Sequence, residues 1–141
     1  MAGMRGRTRG EGTTDRWARH DWWGATVDTP DALALAHFYG ELLGWEVTGG
    51  DGKNDSAAIS PGEGVAYIGF ETIPDYVPPV WPGEPGKPAQ MLHLSFEVSD
   101  LDAAIEHALE LGARLADHQP QERTKVLLDP DGHPFCLYAG E

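Results

Sequence analysis

The chain has 141 residues, one cysteine and a formal net charge of −13. That length suits a single domain that buries its own core without covalent staples, and the lone Cys136 excludes an internal disulfide. Residues 1–20 carry five Arg against Glu11 and Asp15, so the rest holds a charge of −16, which repels nucleic acid and anionic membranes.

Residues 1–20 read as a flexible tail. Met1–Thr14 is rich in Gly, Arg and Thr and has no apolar periodicity with which to offset the entropy of ordering. Arg5, Arg7 and Arg9 are not followed by an apolar stretch, so the expectation is no secretory signal. No run approaches the roughly 18 apolar residues of a membrane span. With the cysteine usage, this points to a cytoplasmic protein. The acidic body suits a neutral or cationic ligand, and equally suits plain solubility.

The first ordered element is a strand over Trp23–Asp28, in which Ala25 and Val27 alternate with Gly24, Thr26 and Asp28. A helix follows over about Asp31–Leu43, with Thr29 as its cap and Pro30 at the first helical position. Leu35, Phe38, Tyr39 and Leu42 form its buried face, and Gly44 ends it. Strands over Trp45–Thr48, Ala57–Ser60 and Val65–Glu71 complete the first half. A Pro- and Gly-rich connector, residues 74–89, contains Trp81.

The second half opens on a strand over Met91–Val98. Leu92, Leu94, Phe96 and Val98 face one way, and Met91, His93, Ser95 and Glu97 the other. A helix over about Asp100–Leu111 follows. Ser99 and Asp102 resemble a capping box, and Leu101, Ala104, Ile105, Ala108 and Leu109 form the apolar face. Strands over Arg114–Ala116, Thr124–Leu128 and Pro134–Tyr138 finish the chain, with Asp129–Gly132 as a turn.

The order β-α-β-β-β thus occurs twice, with helix starts 69 residues apart. The expected fold class is α+β: two βαβββ modules, about 21–73 and 90–139, within a domain 21–141. Both leading strands turn a polar face away from their helices. If the halves pair their sheets, those faces line one cleft for a small molecule.

That places Thr26, Asp28, Ser95 and Tyr138 among the candidate ligand-binding residues. Trp22, Trp23, Trp45, Trp81 and Tyr138 exceed what a core of this size needs. Trp81 is the best candidate for a pocket wall or a dimer contact, where a flat ring suits planar or cationic ligands. His93 is open to several roles: metal ligand, base, hydrogen-bond partner, or a satisfied polar residue. Glu97 and Asp28 are open to a role as base or to pairing with Arg114, Arg123 or Lys125. His133 suits local hydrogen bonds in its turn. His118 precedes Gln119-Pro120, in a loop able to close over the cleft. Cys136 reads as a small apolar residue or a soft ligand.

The run Met91-Leu92-His93-Leu94-Ser95-Phe96-Glu97-Val98-Ser99-Asp100-Leu101-Asp102-Ala103-Ala104, with Leu111-Gly112-Ala113, resembles the second module of the glyoxalase/bleomycin-resistance/dioxygenase superfamily, the vicinal oxygen chelate proteins. The ending Leu128-Asp129-Pro130-Asp131-Gly132-His133-Pro134-Phe135-Cys136-Leu137 is similar to its glyoxalase-like-domain subgroup. So are Phe38-Tyr39 with Leu42-Leu43-Gly44-Trp45, and Pro79 with Trp81-Pro82. The resemblance covers about Trp22 to Tyr138.

It implies sheets curled into a cup, often a homodimer, and in the enzymes a divalent metal (Zn, Mn, Ni or Fe) at the base. Such a metal supports lyase, isomerase or dioxygenase chemistry. Metal-free members sequester drugs. Carried onto this chain, the ligand set is His93, with Glu71 and Cys136 as possible partners. Gly24 stands where the first module's leading-strand ligand would be. The enzyme reading gives His93 and Glu97 catalytic roles. The alternative is non-catalytic sequestration of a drug or metabolite.

Overall fold

The computed structural model describes residues 23–50, 53–62 and 66–140. The expectations for the tail, for Trp22 and for Val65 lie outside them. The chain divides into two compact units, one through Pro74 and one from Asp75, so the connector belongs to the second unit.

The first unit contains β1 (Trp23–Thr29), α1 (Ala32–Leu43), β2 (Glu46–Gly50), β3 (Ser56–Ser60) and β4 (Ala66–Thr72). Its sheet has the order β1-β4-β3-β2. β1 pairs parallel with β4, and the other pairs are antiparallel. Because side chains alternate along a strand, Ile59, Ile68 and Phe70 turn to the helix side, where all are buried. α1 answers with Leu35, Ala36, Phe38 and Tyr39. The Tyr39 ring stacks on Phe70 with centroids 5.8 Å apart. Each large side chain buried here is worth roughly 1.5–3 kcal/mol.

The start of α1 differs from the expectation: its cap lies two residues later. Asp31, not Thr29, is the N-cap, and its carboxylate accepts from the Ala34 N–H at 3.0 Å. Thr29 is fully buried at the end of β1 and accepts the Asp31 N–H at 3.1 Å, so Pro30 precedes the cap. The next two orphan N–H groups are also met. Ala32 donates to Thr72 Oγ1 at 2.9 Å and Leu33 to Asn54 Oδ1 at 2.8 Å. Gly44, at φ 72°, ends the helix as expected.

The second unit contains β5 (Leu94–Val98), α2 (Leu101–Glu110), β6 (Arg114–Leu115), β7 (Thr124–Leu128) and β8 (Pro134–Ala139), in the order β5-β8-β7-β6. β5 pairs parallel with β8. Leu127, Phe135 and Leu137 are buried, and Phe96 meets Phe135 at 6.3 Å between centroids. Both units therefore repeat one βαβββ plan, as the sequence implies.

Three details depart from expectation. β5 begins at Leu94, leaving Met91 and Leu92 exposed and His93 just outside the strand. α2 is capped by Asp100, which accepts from the Ala103 N–H at 3.0 Å, rather than by a Ser99–Asp102 box. An extended residue directly before the helix places its carboxylate best for that bond, and Asp100 has that backbone (φ −134°, ψ 103°). Leu109 is 43% exposed, so the apolar stripe of α2 is narrower than its spacing suggests.

Candidate functional site

The face of the second sheet turned away from α2 carries Ser95, Thr124, Val126 and Cys136. Register pairs Ser95 with Cys136 and Cys136 with Val126. The connector folds back over this face. Its Trp81 packs on Ala116, Val126 and Cys136. The indole N–H donates to the His118 carbonyl at 3.4 Å, so the ring offers neighbours its surface rather than its donor. Beside it lies a cavity of about 160 Å³, lined by Trp81, Gln90, His93, Thr124, Val126 and Cys136 with Pro120, Gln121 and Pro134.

Gln119 holds the loop that borders this cavity. Its amide donates to the carbonyls of Ala116 and Val126 at 2.8 and 2.7 Å and accepts the Val126 N–H at 2.8 Å. One side chain thus bridges the Ala116 carbonyl and both backbone groups of Val126, whose carbonyl also accepts the Ala116 N–H at 3.0 Å. Gln90 is the opposite case: its Oε1 is buried and has no hydrogen-bond partner. Burial pushes the Cys136 thiol above its ordinary value, and a hydrogen bond to Ser95 opposes the shift. The group is a neutral thiol at neutral pH, a poor nucleophile and a poor metal ligand.

The turn that aims β8 is also held by side chains. Asp129, 1% exposed, accepts from the backbone of Asp131 and His133 at 2.9 and 3.0 Å and from His133 Nδ1 at 2.7 Å. Tyr76 of the connector donates its hydroxyl proton to the Asp131 carbonyl at 2.8 Å and lies 3.2 Å from His133 Nε2. His133 thus serves local structure, as its place in the turn implied.

In the first unit the corresponding sheet face forms an open groove lined by Thr26, Asp55, Ser56, Tyr67, Gly69 and Glu71. Asp28 pairs in register with Glu71. The Tyr67 ring lies close to both glycines of this face. A Cβ on Gly24 would come within 2.8 Å of it, and one on Gly69 within 3.4 Å.

Of the residues singled out from sequence, Trp81, His93 and Cys136 share the cavity, with Ser95 beside Cys136. Glu97 and Tyr138 face each other farther along the strands, and the Glu97 carboxylate lies against Gly140. Thr26 and Glu71 belong to the other unit's groove. His118 packs on Trp81 at 5.9 Å between ring centroids. Gln90, Gln121 and Thr124 carry no site signal in the sequence, and Gln119 stands out there only as part of the loop after His118. Thr124, on β7, follows from register, but the glutamines sit in loops with no periodic signal.

The fold implies a divalent metal, and the donor set does not fit one. Parallel register places Gly69 across from Thr26 as Cys136 stands across from Ser95, so Gly69, not Glu71, is the first-half counterpart of Cys136. Glu71 corresponds to Tyr138. Both ligand positions in the first unit are therefore glycine. The second unit supplies His93 and a protonated thiol. Among the described residues no group of three His, Cys, Asp or Glu is placed to hold a metal ion.

Duplicated βαβββ modules with a small, mostly apolar cavity against one sheet define a class of small-molecule-binding proteins. The glyoxalase-like domain matches residues 24–138, and the chain belongs to that family. Similar solved structures include a glyoxalase/bleomycin resistance protein/dioxygenase family enzyme from Burkholderia phytofirmans, at 18% identity and TM-score 0.60, covering 82% of this chain and 95% of that one. A possible glyoxalase from Bacillus cereus has 14% identity and TM-score 0.61, with 83% and 96% covered. The fosfomycin resistance protein FosX from Mesorhizobium loti has 16% identity and TM-score 0.58, with 84% and 91% covered. At these identities the likeness is one of fold. No curated protein matches the chain. No helix among the described residues is long and apolar enough to cross a membrane.

Proposed function

We propose that the chain is a glyoxalase-like binding protein that takes up a small, uncharged, partly flat molecule in the cavity beside β7 and β8 and holds it without turnover. The cavity carries this reading. Its volume of about 160 Å³ is close to the roughly 150 Å³ that admits a benzene ring. Trp81 supplies a flat wall, and Val126, Pro120 and Pro134 make the lining largely apolar. The acidic body disfavours anions. A large drug fits this cavity only by inserting one ring-sized group.

Holding rather than converting is supported by the depleted donor set and by the neutral Cys136. A second reading has one observation in its favour: His93 stands in the cavity wall, where an imidazole is able to move a proton in a lyase or isomerase step. Glu97, its candidate partner, is not among the lining residues. A dioxygenase step would need metal donors beyond this set. A cytoplasmic homodimer is compatible with either reading.

The test is a titration of the full chain with ring-sized neutral compounds, following tryptophan fluorescence and product formation together. Wild type is expected to show quenching that Trp81→Phe loses, with no product. Flat fluorescence across the set would sink the binding reading. Product that disappears in His93→Ala would replace it with the enzyme reading. Metal content per chain, measured after exposure to Zn, Mn, Ni and Fe, is expected to stay far below one ion.

A further inference from the structure

We propose that His133 is a pH-sensitive clasp: as an imidazolium it ties the connector to the β7–β8 turn through Tyr76, and loss of its proton in alkali releases that tie. This goes beyond the binding reading above, and its readouts need no ligand.

The placing of three protons decides the state of the ring. The Asp129 carboxylate lies 2.7 Å from His133 Nδ1, so Nδ1 carries a proton whether or not the ring is charged. The charge then rests on Nε2, which lies 3.2 Å from the Tyr76 hydroxyl oxygen. Tyr76 has one proton to give, and the Asp131 carbonyl stands 2.8 Å from the same oxygen. In a neutral ring Nε2 is an acceptor too. Two acceptors then compete for one proton, and one contact is left without a hydrogen. In an imidazolium Nε2 donates to the Tyr76 oxygen, Tyr76 donates to Asp131, and Nδ1 donates to Asp129. Every contact then joins a donor to an acceptor. Charge favours the same state. The Asp129 side chain is 0% exposed and that of His133 19%, so a positive ring answers the carboxylate where water does not reach it. Asp129 from its own turn and Tyr76 from the connector are the titratable groups that face the ring at hydrogen-bond distance, and Asp131 adds a second acid to the turn.

The contact joins two parts of the second unit. Tyr76 lies near the start of the connector, and Pro78 packs on the same turn: a Cβ on Gly132 would come within 3.1 Å of the Pro78 Cβ. Farther along, Trp81 lies on Val126 and Cys136, and Pro134, next to His133, lines the cavity with it. The proton on His133 thus bears on how the connector is seated over β7 and β8. A histidine favoured as imidazolium in the folded chain contributes in full below its ordinary value of about 6.5, and loses that contribution as pH rises through the higher folded-state value. The clasp is closed in acid and at neutral pH, and opens in alkali.

The test is an NMR titration of the ¹³C-labelled full chain between about pH 5 and 9, below the range where tyrosine itself ionises, following the carbon-bound ring signals of His133, Tyr76 and Trp81. His133 is expected to titrate about one pH unit or more above the ordinary value, with the Tyr76 and Trp81 signals moving at the same midpoint. Tyr76→Phe removes the acceptor for the Nε2 proton, and should lower the midpoint by about half a pH unit or more and uncouple Trp81 from it. His133→Gln cannot titrate, and should leave the Trp81 signal flat over that range. Tyr76→Phe alone decides the tie if His133→Gln loses spectral dispersion.

A His133 midpoint at or below the ordinary value would overturn the imidazolium and the clasp with it. A raised midpoint that Tyr76→Phe leaves in place, or that the Trp81 signal does not follow, would show a ring that answers Asp129 alone, and would overturn the tie to the connector. Neither result bears on the binding reading, which the fluorescence titration tests by itself.

Discussion

Replacing Asp129 by Ala removes the acceptor around which the β7–β8 turn is organised. The carboxylate is 1% exposed and takes three donors: the Asp131 N–H at 2.9 Å, the His133 N–H at 3.0 Å and His133 Nδ1 at 2.7 Å. Hydrogen bonds to a charged group contribute about 1.5–3 kcal/mol each, and they do not simply add. The turn is half-exposed around the carboxylate, so water recovers part of the loss. The expected cost of Asp129→Ala is about 3–4 kcal/mol, or roughly 10–15 °C in Tm for a chain of this size. Asp129→Asn keeps one oxygen for the backbone donors but turns an N–H toward the His133 ring, so about 1–2 kcal/mol is expected. Urea unfolding followed by circular dichroism reads the global effect. Amide exchange at Asp131 and His133 reads the local one, which matters because the chain forms two compact units. Tyr76→Phe should couple to Asp129→Ala, since the Tyr76 hydroxyl meets both the Asp131 carbonyl and His133 Nε2. A loss below about 1 kcal/mol in Asp129→Ala, with Asp131 and His133 protection unchanged, would refute the idea that the carboxylate holds the turn.

Gln119→Ala deletes three hydrogen bonds to the β6–β7 backbone and should cost about 1–3 kcal/mol by thermal melting, with the Trp81 signal shifted because its supporting loop loosens. Asp31→Ala should cost about 1 kcal/mol through the lost α1 cap. The Asp31 carboxyl lies below its ordinary value of 3.8, first because it accepts the Ala34 N–H and then because Asn54 bonds it. Its contribution is therefore present above the ordinary value of 3.8 and is lost as pH falls through the lower folded-state value, so the Tm gap between wild type and Asp31→Ala should narrow as pH falls below about 4. A gap that stays constant over that range would contradict the cap assignment. Cys136 should react slowly with a thiol reagent at pH 7 and faster only at strongly alkaline pH, because burial raises its pKa. Prompt labelling of native protein at pH 7 would show the thiol to be open.

The two helices were legible because their signals are local. A cap, an apolar stripe at helical spacing and a terminal glycine lie within a dozen residues of one another. The caps shift by two residues in α1, from Thr29 to Asp31, and by one in α2, from Ser99 to Asp100, where several neighbours are competent caps and tertiary burial decides. Thr29 is lost to the core of β1, and Asp31 inherits the role. The polar faces of β1 and β5 were legible from alternation. Which residues stand opposite each other was not. Alternation specifies a face but leaves pairing open by steps of two, so Gly69 and Glu71 were equally eligible beside β1 until the parallel register was known. The connector was opaque for a different reason. Trp81, Gln90 and Tyr76 are placed by contacts with β7, β8 and the turn between them, tens of residues away, and no periodicity announces such contacts.

The two units depart from their shared plan at the same positions, and the departures are linked. Gly24 and Gly69 stand where His93 and Cys136 stand in the second unit. Neither glycine is a simple deletion that a side chain would restore. A Cβ on Gly24 would collide with the Tyr67 carbonyl and approach the Tyr67 ring to 2.8 Å, and one on Gly69 would meet Thr26 Oγ1 at 3.0 Å. Tyr67 thus blocks a side chain at Gly24 with its backbone carbonyl as well as its ring, so trimming Tyr67 alone does not make room for a histidine there. In the second unit a ring also lies against the sheet, but over the antiparallel β7–β8 pair, where Trp81 of the connector packs on Val126 and Cys136. Each sheet thus sets an aromatic ring on the face turned away from its helix, by different routes: Tyr67 beside Gly24 and Gly69, and Trp81 against Cys136. Rings so placed favour flat ligands through surface contact.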